Sequence, residues 1–177
     1  MATINLLPNA DVSNDWNLST GSDVYALLDD DHTGTVASDS NYIYSAATGV
    51  SCVVDLQNFT EAHSAINSVQ LTTESGNVGR SDSYVLSTKL TSAGGDYYTE
   101  TSGTLASNRF YVEKNYTIRT TYNGASAWTE ALLNSLRVQI DLSVLSGNTT
   151  KVTYCYVTVD YDLPVVTDNA IFFGTNF

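Results

Sequence analysis

The chain reads as a series of short segments in which apolar and polar residues alternate. From 136 to 143, Leu136, Val138, Ile140 and Leu142 alternate with Arg137, Gln139, Asp141 and Ser143. That is the pattern of a half-buried antiparallel strand with one wet face. Cys52, Val54 and Leu56 share a face in 52–56, as do Tyr84, Leu86 and Leu90 in 84–90. A strand over 65–73 places Ala65, Val69 and Leu71 together and leaves Ile66 out of phase. Over 110–122, Phe110, Val112, Tyr116, Ile118 and Tyr122 share one face, with Glu113, Asn115, Thr117 and Arg119 opposite. Lys114 interrupts that apolar face, which predicts a bulge or an edge position.

The segment 151–161 is apolar on both faces. Val152, Tyr154 and Tyr156 fall on one side; Cys155, Val157, Val159 and Tyr161 fall on the other. Such a strand is covered twice, either centrally in a sheet or under a partner subunit. Turn clusters separate the strands at Ser75-Gly76-Asn77, Ala93-Gly94-Gly95-Asp96, Asn123-Gly124 and Ser146-Gly147-Asn148. Asn123-Gly124 and Gly147-Asn148 are hairpin punctuation. Two short helices are predicted: 23–29, with Asp23 as cap, and 129–135, with Thr129 as N-cap. About eight to ten strands in one unit predict an all-β fold, an antiparallel β-sandwich of jelly-roll type. The sandwich domain is expected to span 1–162. Pro164 then stops strand pairing, and 163–177 is either a closing strand or a docking arm carrying Ile171, Phe172, Phe173 and Phe177.

Composition narrows the function classes. The chain has 177 residues, 15% of them charged, and a net charge of −12. The usual charged share is about 25%, and Ser, Thr and Asn, about a third of the chain, fill the gap. Seven basic residues are scattered singly, so neither phosphate-backbone binding nor attraction to an anionic membrane is expected. Apolar runs are far shorter than the roughly 20 residues of a spanning helix. The start Met1-Ala2-Thr3-Ile4-Asn5 shows no secretion-type pattern, so synthesis in a cytoplasm is expected. Cys52 and Cys155 lie in strand-like segments as two buried thiols. A disulfide between them needs Cα atoms within about 7 Å, which spacing leaves open.

Catalytic chemistry finds little purchase. His32 and His63 are the only histidines, too few for a three-histidine zinc site in one chain. No G-x-S-x-G elbow places a nucleophile, and Gly76-Asn77-Val78-Gly79 lacks the lysine of a phosphate loop. The run Asp29-Asp30-Asp31-His32-Thr33-Gly34 has the glycine of an EF-hand, but Ser40 stands where the bidentate glutamate belongs. A weak calcium site from Asp29, Asp31 and Asp39 is the residual metal candidate; a solvated loop is the plainer explanation. No catalytic residue, cofactor or enzymatic activity is expected. The pairs Tyr42/Tyr44, Tyr97/Tyr98 and Tyr154/Tyr156 suit either a sugar-stacking platform or an oligomer interface. Trp16 and Trp128 are expected in the core, where entry segments meet the sandwich.

One resemblance joins these features. Leu7-Pro8-Asn9-Ala10-Asp11 with Trp16, Leu27-Leu28-Asp29-Asp30 and Tyr42-Ile43 open the layout. Arg80 after the strand at 69–73 and Trp128-Thr129-Glu130 with Leu132, Asn134 and Leu136 continue it. The run Val152-Thr153-Tyr154-Cys155-Tyr156-Val157-Thr158-Val159-Asp160-Tyr161 closes it. The whole is similar to small β-sandwich virion structural proteins of tailed bacteriophages, namely capsid decoration (cement) or tail-associated proteins. The resemblance implies a non-enzymatic domain on the capsid surface, a homotrimer that binds the major capsid protein or other virion proteins. Tyr154, Tyr156, Ile171, Phe172, Phe173 and Phe177 are the interface candidates. The alternative is a carbohydrate-binding tail or fibre domain. A bacterial surface adhesin is a third reading, disfavoured by the missing export signal.

Overall fold

A computed structural model describes residues 1–29, 40–77, 83–92, 95–106, 111–147 and 149–165. In chain order the elements are β1 (Ala2–Leu6), β2 (Pro8–Asn14), β3 (Asn17–Leu18), α1 (Tyr25–Leu28), β4 (Ile43–Ser45), β5 (Ser51–Leu56) and β6 (Ala65–Asn77). They continue with β7 (Ser83–Ser92), β8 (Gly95–Thr101), β9 (Leu105–Ala106), β10 (Val112–Asn115), α2 (Glu130–Leu133), β11 (Arg137–Ser146) and β12 (Thr150–Asp162).

The strands form two antiparallel sheets. The first runs β10-β6-β12-β4-β3, with β1 beside β12. The second runs β2-β5-β11-β7-β8, with β9 beside β7. The pairs nest: β1 with β12, β5 with β11, β6 with β10, and β7 with β8. That nesting is an antiparallel ribbon folded over on itself, the jelly roll that the alternation predicts. The core lies between the sheets. Val138, Ile140 and Leu142 of β11, Cys52, Val54 and Leu56 of β5, and Tyr84, Leu86 and Leu90 of β7 meet Val152, Cys155, Val157 and Val159 of β12.

Bulges correct the simple alternation in two places. Ile66 is buried and Ala65 exposed, because the β6–β12 register shifts at Asn67. The extra residue brings Ile66 into phase with Val69 and Leu71. A second shift, at Thr153, turns Val152 inward with Cys155 and leaves Tyr154 and Tyr156 on the outer face. Strand β12 is central, with β6 on one side and β1 and β4 on the other.

The strand expected over 110–122 is shorter. Only Val112–Asn115 pairs as β10, an edge strand. Lys114 sits there opposite Thr73, at a position that would be apolar in a central strand. A lysine aimed inward at an edge discourages further strand pairing. Ile118 is exposed, so it leaves the predicted apolar face. Asn123 and Gly124 both have positive φ, 47° and 77°, the signature of a type I′ turn.

Both short helices are present. Thr129 caps α2 by accepting from the Leu132 N–H at 3.3 Å, as the sequence predicts. The cap of α1 differs. Val24 is its N-cap residue and makes no side-chain cap. Asp11 of β2 supplies the acceptor instead of Asp23, which bonds Ser22. Trp16 and Trp128 are buried; their indole N–H groups donate to the carbonyls of Ile140 and Arg119.

Candidate functional site

The outer face of the first sheet carries a buried polar and aromatic network. Register places Tyr154, Glu74 and Glu113 in one cross-strand row, and Tyr156, Thr72 and Asn115 in the next. The Tyr154 and Tyr156 rings stack, with centroids 5.7 Å apart, and Leu7 packs against them. The Tyr154 hydroxyl donates to Glu113 Oε2 at 2.8 Å. Asn115 donates to Glu113 Oε1, and Thr72 donates to Asn115 Oδ1 at 2.7 Å. Thr153, the bulged residue, donates to Glu74 Oε2 at 2.7 Å. Tyr154 and Tyr156 are 1% and 9% exposed, and Glu74 is 8%. Burial, then the Glu113 carboxylate, pushes the Tyr154 hydroxyl pKa well up.

The other tyrosine pairs sit at different corners. Tyr42, just before β4, and Tyr44, within it, are half-buried and edge to face, and Lys151 lies 3.8 Å from the Tyr42 ring centroid. Tyr97 and Tyr98 part company. Tyr97 packs edge-on to Tyr122 and Trp128, whereas Tyr98 lies under the Arg119 guanidinium and bonds the Thr121 carbonyl. Arg119 also pairs with Glu100, which accepts two bonds from Thr117. Burial raises the Glu100 pKa, but the Thr117 and Arg119 contacts outweigh it and hold the carboxyl below its ordinary range.

A cleft of about 320 Å³ with mixed polar and apolar lining opens at the end of the second sheet. Three strands and a helix end meet there. A shift in the β2–β5 register at Asn9 marks a bulge, a device that re-aims a side chain. Asp55 of β5 faces Ala10 on one side and Arg137 of β11 on the other. Arg137 Nε donates to Asp55 Oδ1 at 2.6 Å. Asn134, the C-cap of α2, accepts the Phe59 N–H through Oδ1 at 2.7 Å. Asn9 and Asn58 complete the rim, and Leu56 and Leu136 supply apolar lining. Sequence reasoning passes over this cleft. Asp55 and Arg137 each lie on the wet side of a predicted strand, and only the register joins them.

Cys52 and Cys155 are free and fully buried. Burial, with neighbouring Cys155 second, raises the Cys52 thiol pKa; burial pushes Cys155 up to about 12. Asp29 caps the C-terminus of α1; Asp31 and Asp39 lie outside the described residues, as do Ile171, Phe172, Phe173 and Phe177. Among the described residues no group of three or more His, Cys, Asp or Glu side chains converges for a metal ion, and no helix is long and apolar enough to cross a membrane.

No protein-family model matches the sequence, and no curated protein matches it. Among solved structures, one similar chain is the CBM36-1 domain of a multidomain xylanase from the hindgut metagenome of Trinervitermes trinervoides. It is 9% identical over 90% of this chain and 97% of that one, with a TM-score of 0.41. Another is the Stig cyclase Fisc from Fischerella sp. TAU, 10% identical over 69% of this chain and 76% of that one, with a TM-score of 0.40. At these levels neither likeness says what this chain binds.

Proposed function

We propose that the chain is a non-enzymatic virion structural protein of a tailed bacteriophage, a capsid decoration protein that binds and stabilises the capsid lattice as a homotrimer. The sequence resemblance supports the reading, and one structural observation carries it. The outer face of a sandwich sheet is ordinarily polar and wet. Here Tyr154, Tyr156, Thr72, Thr153 and Glu74 lie buried on that face. A sheet covered on both sides acts as a middle layer, which suits a protein whose work is packing. Tyr154 and Tyr156 are buried within the single chain and make this sheet rigid; its interface is formed by the half-buried Tyr42 and Tyr44 beside them and by the apolar residues Ile171, Phe172, Phe173 and Phe177. A surface with a net charge of −12 keeps such a module soluble and away from nucleic acid.

The test is deletion of the gene from the virus that carries it. Particles lacking the protein are expected to assemble but to lose heat resistance, and added protein restores it. Particles of unchanged composition and stability overturn the reading. A second reading, a carbohydrate-binding tail or fibre domain, is favoured by the cleft between Asn9, Asp55, Asn58 and Arg137.

A further inference from the structure

We infer that the cleft at the junction of β2, β5, β11 and α2 is a binding site for one ring of a neutral saccharide. This deepens the carbohydrate-binding reading and rests on it, while standing apart from the capsid reading.

The cleft has unspent hydrogen-bonding capacity. Arg137 uses Nε on Asp55 Oδ1. Among the described residues its two terminal amino groups and Asp55 Oδ2 have no partner. They place donors and an acceptor side by side at the rim, a set that matches two adjacent hydroxyls, each of which both donates and accepts. Asn134 spends Oδ1 on the Phe59 N–H and keeps its amide donors. Asn9 and Asn58 make no side-chain hydrogen bond among the described residues, and both are exposed. Arg137 and Asn134, held by their bonds to Asp55 and to the Phe59 N–H, present their spare donors at little ordering cost.

Shape and charge restrict the ligand further. Ala10, Leu56 and Leu136 line the cleft between these polar groups, and a sugar ring has the same division, with C–H faces and hydroxyl edges. A volume of about 320 Å³ lies at the small end of ligand pockets, which run from roughly 300 to 1,000 Å³; it suits one ring more than an extended chain. The Asp55–Arg137 pair is formally neutral, and the surrounding protein carries −12. Anionic sugars are therefore repelled at long range.

Binding is tested on the full chain by NMR titration with the methyl glycosides of glucose, galactose, mannose and N-acetylglucosamine, with methyl glucuronide as the anionic counterpart. At least one neutral glycoside is expected to shift the resonances of Asn9, Asn58 and Arg137. The double variant Asn9→Ala/Asn58→Ala removes no side-chain hydrogen bond among the described residues, so it should fold normally while weakening binding about tenfold. Arg137→Gln should weaken it by at least as much. If glycosides bind but the double variant binds them equally well, the cleft is the wrong place and the carbohydrate reading survives. If no neutral glycoside binds up to about 100 mM, a limit far beyond specific affinity, both fall. Binding of the glucuronide alone overturns the neutral ligand.

Discussion

Asp11 caps a helix that begins fourteen residues later. Its two carboxylate oxygens accept the Val24 and Tyr25 N–H groups at 2.8 and 2.7 Å, which ties β2 to α1. Leu27 and Leu28 of that helix are buried in the core. Capping side chains contribute about 1–2 kcal/mol. Asp11→Ala should therefore lower unfolding free energy by about that amount, and Asp11→Asn by less. Asp23→Ala should do almost nothing. Urea denaturation of the three variants checks the assignment, and an Asp23 effect larger than that of Asp11 refutes it.

The bulge at Thr153 predicts a second asymmetry. Its hydroxyl serves the Glu74 carboxylate on a buried face. Thr153→Val keeps the shape and strands that oxygen, at a cost of about 1–3 kcal/mol. Thr153→Ser keeps the bond and should cost less. Equal losses from both variants in thermal unfolding contradict the network.

Both thiols should resist modification in the native state. Cys52 and Cys155 are wholly buried with raised pKa values, and only the thiolate reacts. Iodoacetamide at neutral pH is expected to label neither until urea unfolds the chain, read by mass spectrometry. A raised folded-state pKa stabilises the protein below the ordinary thiol value of 9.0, and that contribution fades as pH climbs through about 12 for Cys155. Rapid native labelling counts against the packing described.

At the acid end the sign reverses. Glu100 is held below its ordinary value of 4.5. Its contribution is complete above 4.5 and disappears as pH falls through the lower, folded-state value. Glu100→Gln should flatten the acid limb of a stability–pH curve, with little change in its alkaline limb. An unchanged acid limb assigns the effect elsewhere.

Alternation along single strands made the sandwich legible, since Val138, Ile140 and Leu142 need only their own neighbours to declare a face. Ile66 and Val152 were misread for one reason. A bulge adds one residue and inverts every later position, and nothing local to Asn67 or Thr153 announces it. Lys114 shows the opposite case, because a charge in an apolar phase does announce an edge. The Asp11 cap and the Asp55–Arg137 cleft were invisible because both join segments far apart in sequence. Periodicity reports which face a residue is on, whereas register decides what it meets there.

The apolar segment beyond β12 is tested by truncation. The described pairing of β12 with β6 ends at Asp162, so a chain truncated there keeps every described strand. The capsid reading expects it to lose oligomer size and particle binding. Unchanged binding removes Ile171, Phe172, Phe173 and Phe177 from the interface.

The most direct measurement for the central claim is the copy number of the chain in purified virus particles, by quantitative mass spectrometry against the major capsid subunit. A stoichiometry comparable to that subunit is expected, lost when the gene is deleted. Absence from particles, or a handful of copies as in a tail tip, contradicts it.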